Sequence, residues 1–408
     1  MGVLNGIRII DFARILAGPW ATQLLADLGA EVIKIERPGT GDDTRTWGPP
    51  FLKGEDGEQL TDAAYFACTN RNKKSIVLDI NTPEGSEVAR RLIAKSDILI
   101  ENFKVGGLAK YGLDYPSLKA IKPDLIYCSI TGFGQDGPRA QEAGYDLLMQ
   151  GMGGLMSVTG KPDSEPGGGP VKVGVALVDV ITGLYASNAI LAALRHRDAT
   201  GEGQQIDLAL LDCIIAALAN QSHGYLQSGI MPPRLGNAHP SIAPYESFPT
   251  SDGHIMLAIG NDGQFQRFCK LAGIADVSAD PRFVDNKSRV ANRGVLIPLM
   301  GEIIKLKTSM EWIDLLSANA VPCGPINTID TVFEDPQVKH RQIALRLPHQ
   351  GAGTVASVAN PIHLSQTPVE YRMGPPILGE HTDEILKSVL GLSDSEIAVL
   401  GGKKTAGG

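Results

Sequence analysis

The stretch IRIIDFARILAGPWATQLLADLGAEVIKIER, residues 7–37, decides the fold. Ile7 to Ile10 is a short apolar run broken only by Arg8, the pattern of a buried strand. Gly18-Pro19 opens a helical pattern that reaches Leu28-Gly29, with Pro19 in the first turn, where its missing N–H is no loss. Val32 to Ile35 reads as a second strand. Working outward, Ser75–Leu78, Ile98–Ile100 and Leu125–Ser129 continue the series, and Thr82-Pro83-Glu84 is an N-cap signal for a helix to about Lys95. Strands alternating with helices imply an α/β fold: a Rossmann-like large domain with a parallel sheet covered on both faces.

That opening resembles a dinucleotide site only in outline. A GxGxxG turn is expected, with an acidic residue closing the second strand. Glu36 is in place, but the turn reads Ala13-Arg14-Ile15-Leu16-Ala17-Gly18-Pro19, with one glycine and bulky side chains where the backbone should be bare. The fold idea survives and the nicotinamide idea does not.

Further along, Gly151 to Pro170 is rich in Gly, Pro and Ser and reads as loops. A long apolar helix follows from about Asp179 to Leu194, then a short strand at Gln205–Leu208 and a helix over about Leu211–Leu226. Pro232-Pro233 marks a linker. From about Leu235 to Cys323 the pattern is that of a smaller α+β domain, with a Ser251-Asp252-Gly253 turn between two strands and helices at about 263–271, 291–305 and 309–318. The expected partition is 1–228 for the first part of the large domain, 229–325 for the small domain, and 326–408 as a C-terminal segment returning to the large one. The Gly/Lys-rich stretch Gly401–Gly408 is expected to fray.

Composition bounds the function. With 408 residues, 43% hydrophobic and 20% charged, the chain suits a globular protein of two to three domains. A formal net charge of −8 argues against nucleic acid and anionic membranes as partners. Five scattered cysteines, none spaced as CxxC, argue against a disulfide framework or a zinc site. The start lacks the basic and apolar segments of a leader, and no apolar stretch approaches the roughly 20 residues that span a bilayer. A cytoplasmic protein holding no metal is expected.

HExxH, GxSxG and Walker A motifs are all missing. Asp179 stands out instead, within the nearly apolar Val175-Ala176-Leu177-Val178-Asp179-Val180-Ile181-Thr182. A carboxylate there must be hydrogen-bonded or have a raised pKa. It reads either as the N-cap of the following helix or as a nucleophile held by it. Arg37, Arg71, Lys73, Lys74 and Lys110 flank strand candidates, where they form either a solvated face or the wall of an anion site at the carboxyl ends of strands.

Several runs then carry a family. Asp11-Phe12 with Ala17-Gly18-Pro19, Leu28 to Pro38, Asn70 to Leu78, Glu101-Asn102-Phe103, Ser129 to Gly134, Val321 to Pro325 and Leu378 to Thr382 together resemble the family III CoA-transferases of the CaiB/BaiF group, over nearly the whole chain. The resemblance implies a large Rossmann-like domain plus a small one, in an interlocked homodimer. It implies coenzyme A or acyl-CoA as substrate, with no permanently bound cofactor. By the same match Arg37, Leu78, Asn102 and Lys110 contact CoA, Arg14 lines its site, Tyr145 and Asp146 border the thioester, and Asp179 is the catalytic aspartate. Its carboxylate would form an anhydride and then an aspartyl-CoA thioester as CoA passes from a donor to a carboxylic acid. The partners are therefore an acyl-CoA donor and an acid acceptor.

Two alternatives stand beside this. The 2-methylacyl-CoA racemases share the fold but use a His in a Gly-His-Asp motif; here the motif is Gly144-Tyr145-Asp146, and tyrosine, with an ordinary pKa of about 10, suits that role poorly. A CoA-binding protein without catalysis would not need Asp179. Within the transferases, Leu16 replaces a Gln of the formyl-CoA/oxalate branch, while Gly39–Pro50 and Ala238–Tyr245 look more like the succinyl-CoA–dicarboxylate enzymes. A dicarboxylic acceptor is expected, with Arg14, Arg71 or His239 facing its distal carboxylate. Oxyanion donors are sought in Gly151–Gly154 or Gly236–Pro240.

Overall fold

The computed structural model describes residues 2–400, so the Gly401–Gly408 expectation lies outside the described residues. The chain forms two compact units. Of the described residues, the first comprises 2–155, 173–222 and 339–400, and the second 156–172 and 223–338.

The first unit is built on six strands: β1 (Arg8–Asp11), β2 (Glu31–Glu36), β3 (Lys73–Val77), β4 (Ile98–Glu101), β5 (Ile126–Thr131) and β6 (Gln205–Ala209). They lie in the order β3-β2-β1-β4-β5-β6, all parallel. This is the doubly wound order, in which the reversal beside β1 opens a crevice at the strands' carboxyl ends. Successive residues of a strand face opposite sides. Ile10, Ile33, Ile76, Leu99 and Tyr127 accordingly enter one core with Val88 and Leu92 of α2 (Pro83–Ala94) and Ile385, Leu386 and Val389 of a late helix (Thr382–Leu390). Ile9, Val32, Ile98, Ile100 and Ile126 enter the other. There they meet Ala17, Ala21 and Leu25 of α1 (Ala17–Asp27) and Ala186, Ile190 and Leu194 of a long helix (Leu177–Thr200). Thr82 caps α2 as its sequence suggests, accepting from the Gly85 N–H at 3.0 Å.

Two expectations change. The long helix has 24 residues and is apolar enough by length and composition to cross a membrane, because it starts before Asp179 and runs six residues past Leu194. It packs instead on α1, where Gly183 allows close approach: a Cβ there would stand 2.7 Å from the Ala17 carbonyl oxygen. The expected Leu211–Leu226 helix is two, Leu210–Ala217 and Asn220–Ser228, broken at Ala219 by a φ of +45°. Hairpins at Phe51–Lys53/Gln59–Ala63 and Ala344–His349/Gly353–Val358 add two small sheets.

The second unit holds a three-stranded antiparallel sheet, Tyr245–Pro249, His254–Ala258 and Cys323–Pro325. Helices Asp262–Leu271, Arg293–Ile304 and Ser309–Ser317 cover it around Phe248, Leu257, Phe265, Phe268 and Trp312. Thr308 and Glu311 close the last helix with a reciprocal capping box.

Candidate active site

In the first unit the ends of β1, β4 and β5 frame a cavity of about 800 Å³. Arg14, Asn102, Lys110, Tyr145 and Asp179 all line it, with Asp43, Trp47 and Phe103. These residues are far apart in the chain, and the doubly wound topology is what gathers them.

The loop after β1 is pinned from every side. Asn102 holds Arg14 by both of its amide functions: Oδ1 accepts from the Arg14 N–H at 3.0 Å and Nδ2 donates to the Arg14 carbonyl at 2.8 Å. The Ala13 carbonyl accepts from Lys34 Nζ at 2.8 Å, and the Ile15 N–H donates to Asp42 Oδ1 at 3.3 Å. These bonds hold Ile15 at a φ of +74°, a left-handed conformation that a β-branched residue avoids. Lys34 is buried against Asp42, and although burial alone would raise Asp42, Lys34 and the Thr44 N–H hold its carboxyl down at about 2. Arg14 reaches Asp43 Oδ2 at 3.0 Å, and its guanidinium lies 5.7 Å from the Phe103 ring centre. Its Nε is buried with no partner among the described residues.

The remaining sequence candidates fall differently. Arg37 is about half exposed and pairs with Asp43, the carboxylate that Arg14 also engages. Leu78 is buried in the sheet core and does not line the cavity. Asp146 lies beneath the cavity, bonded to the backbone N–H of Val178 at 2.8 Å and of Asp179 at 3.4 Å. Arg71 does not line the cavity: its guanidinium is buried and makes a two-pronged bond to Asp27 at 2.6 and 3.0 Å. Lys73 belongs to β3 rather than a loop and is buried against Asp11, Asn70 and the Pro19 carbonyl. Lys74 faces outward, to Glu31 and Glu384. Glu36, the acidic residue closing the second strand, is saturated by Arg45, Ser75 and the Asp42 N–H.

Asp179 sits in the first turn of the Leu177–Thr200 helix and is not its cap. Ala176 occupies the cap position and offers no side-chain acceptor, so Asp146 does the capping from the helix Asp146–Met152. The Asp179 side chain is largely buried and takes no hydrogen bond from the described residues. Burial, and then the nearby Asp146 charge, push its carboxyl up to about 7. Beside it, burial and then the Asp179 charge raise the Tyr65 hydroxyl to about 12, and Tyr65 packs edge-on to Trp47 at 5.5 Å. Gly132 and Gly144 let the Tyr145–Asp146 segment close on β5: a Cβ on Gly144 would stand 2.3 Å from the Gly132 Cα.

The oxyanion donors sought in Gly151–Gly154 are largely spent, since the Gly153 and Gly154 N–H groups bond the Met149 and Gly151 carbonyls. In the second unit the Gly236, Ala238 and His239 N–H groups bond Gly160, Leu235 and Tyr245. Sequence reasoning missed Asp43, Trp47 and Tyr65. Asp43 had a readable sign, lying in Gly41-Asp42-Asp43 just after Arg37; the aromatic pair had none.

A family model described as CoA-transferase family III matches residues 4–382. A succinate–glutarate CoA-transferase of Agrobacterium fabrum is 54% identical over 388 residues, which is 94% of each chain. The human succinyl-CoA:glutarate CoA-transferase is 42% identical, covering 97% of this chain and 88% of its own. Among solved structures, a CaiB/BaiF family protein from Brucella suis superposes with a TM-score of 0.83 at 51% identity, over 95% of this chain and 99% of that one.

Proposed function

The chain belongs to CoA-transferase family III, and from that premise we propose that it moves CoA from succinyl-CoA to a glutarate-like dicarboxylic acid through Asp179. The observation that carries this reading is a carboxylate at the wall of the cavity, unbonded and raised to about 7. A carboxylate stripped of hydrogen bonds and water is a stronger nucleophile than a solvated one, and near neutral pH a good part of it is ionised. The relatives named for succinate and glutarate support the donor and acceptor.

Asp179 attacks the thioester carbonyl carbon, and the tetrahedral adduct expels CoA thiolate, leaving a mixed anhydride. The thiolate then attacks the Asp179 carbonyl carbon, which forms an aspartyl-CoA thioester and frees the donor acid. The acceptor carboxylate displaces the thiolate to give a second anhydride. Attack of thiolate on the acceptor's acyl carbon yields the new acyl-CoA and regenerates the Asp179 carboxylate. Each step keeps one activated acyl bond and no net proton is consumed, so the demand on the protein is to exclude water.

Arg14, Asn102 and Lys110 on the cavity wall, with Arg37 paired to the lining residue Asp43, suit an anionic CoA ligand. Arg14, which engages Asp43 through one guanidinium nitrogen, suits a distal carboxylate, since arginine favours two-pronged pairing with such a group. Leu78 supports the sheet beneath. The Leu177–Thr200 helix leaves Leu184, Tyr185 and Leu191 exposed, and these suit an interlocked homodimer. Sedimentation giving a reversible monomer at low micromolar concentration would contradict that assembly. The function is tested by incubating the protein with paired CoA donors and acids and reading acyl-CoA products by mass spectrometry. Glutaryl-CoA formed from succinyl-CoA is expected; deuterium uptake into a 2-methylacyl-CoA without any acid would replace the reading with the racemase.

A further inference from the structure

Gln150 lies four residues after Asp146, so the two side chains share one face of the Asp146–Met152 helix. Gln150 is fully buried, and a buried primary amide must find partners at both ends. Its Nε2 donates to Asp146 Oδ2 at 2.7 Å and to the Val175 carbonyl at 3.3 Å, and its Oε1 accepts from the Val173 N–H at 2.8 Å. One amide therefore grips both the carboxylate that caps the Asp179 helix and the strand of chain that feeds it.

This grip reaches a stretch that no regular secondary structure holds. Between Val158 and Leu177 the chain has neither helix nor strand, and it enters the first unit at Val173. Ala176 at the helix cap makes no side-chain hydrogen bond, and among the described residues none donates to the Asp179 carboxylate. The place of the carboxylate is thus set by the backbone of the first helical turn, and that turn is set by Asp146 and Gln150.

We propose that Gln150 is a positioning residue for the transfer, holding the first turn of the Asp179 helix so that the nucleophile meets the thioester carbon; this rests on the reading of Asp179 above. Reactions of this kind lose on the order of 100-fold in rate for a misplacement of about 1 Å. The test is Gln150→Met, which keeps the volume and removes the amide. Turnover and the rate of hydroxylamine trapping at Asp179 are both measured per CoA site titrated by calorimetry. A fall of roughly 10- to 100-fold in kcat and in trapping, with the CoA dissociation constant within twofold of wild type, is expected. Unchanged kcat and trapping would overturn the proposal, and so would a loss of rate matched by an equal loss of CoA affinity. Should Gln150→Met be insoluble, Gln150→Glu, which keeps the acceptor for Val173 and loses the donor to Asp146, is read by the same outcomes. Failure of the underlying reading looks different: wild type yields no adduct on Asp179, and Asp179→Asn keeps its activity.

Discussion

Replacing Asp179 with Asn should make the protein more stable, and more so as the pH rises. The carboxyl moves from 3.8 to about 7 on folding, because burial and the Asp146 charge penalise its ionised form. Between those values the folded chain keeps a proton that the unfolded chain releases, so wild-type stability falls as pH rises through the interval. At about 1.36 kcal/mol per pH unit, the penalty is about 1.7 kcal/mol at pH 5 and about 4 kcal/mol at pH 8, where it levels off. Asparagine never ionises and escapes it. Water entering the cavity reduces the figure, so these are upper values. At about 2.1 cal/mol/K of unfolding entropy per residue, a chain of 408 residues shifts by roughly 1 °C per kcal/mol, so the variant's melting temperature should exceed that of wild type by about 5 °C at pH 8 and by about 2 °C at pH 5. Calorimetric melts of both proteins across pH 5 to 8 measure the difference. A gap that is flat with pH, or a variant less stable than wild type at pH 8, would refute the claim that Asp179 is held protonated by its surroundings.

The same titration should shape catalysis: if the ionised carboxylate attacks, kcat/KM rises with pH through about 7 and then levels, and a rate flat between pH 5.5 and 8 would contradict that. Lys110→Ala should weaken CoA binding by roughly one to two orders of magnitude at nearly unchanged stability, since a charge-assisted phosphate bond is worth about 1.5–3 kcal/mol; calorimetry checks this. Arg71→Ala should do the opposite, costing about 3–5 kcal/mol of stability by leaving Asp27 buried and unpaired while a folded fraction binds CoA normally, as paired melts and titrations would reveal. Gly144→Ala should push Tyr145 and Asp146 off β5, costing about 1–3 kcal/mol in denaturant melts and lowering turnover, whereas Ala at the open position Gly174 should do neither.

Local information sufficed for much of this molecule. The short apolar runs and the period-3.6 pattern of residues 7–37 are enough for β1, α1 and β2, because strands buried on both faces read as mostly apolar runs, interrupted here by Arg8 and Lys34. Thr82 before Pro83 is a cap in sequence and in space. The apolar setting of Asp179 is legible for the same reason: a carboxylate among Val, Leu and Ile implies an altered pKa wherever the chain goes. The motifs around Asn102, Gly132 and Gly144 are equally visible as strings of residues.

Which charges meet which was decided only by the tertiary structure. Arg71 and Lys73 look like ligand cations in one dimension, yet strand pairing places them against Asp27 and Asp11, and once buried they must be paired. Arg14, Asn102, Lys110 and Asp179 span more than 160 positions and become one site because β1, β4 and β5 are neighbours in the sheet. Asp179 itself looks like a helix cap until the chain brings Asp146 and Gln150 to that helix end, which frees its carboxylate for the cavity. Side-chain partners act over a few ångströms, and that distance is set by strand order and helix packing, which no local pattern contains.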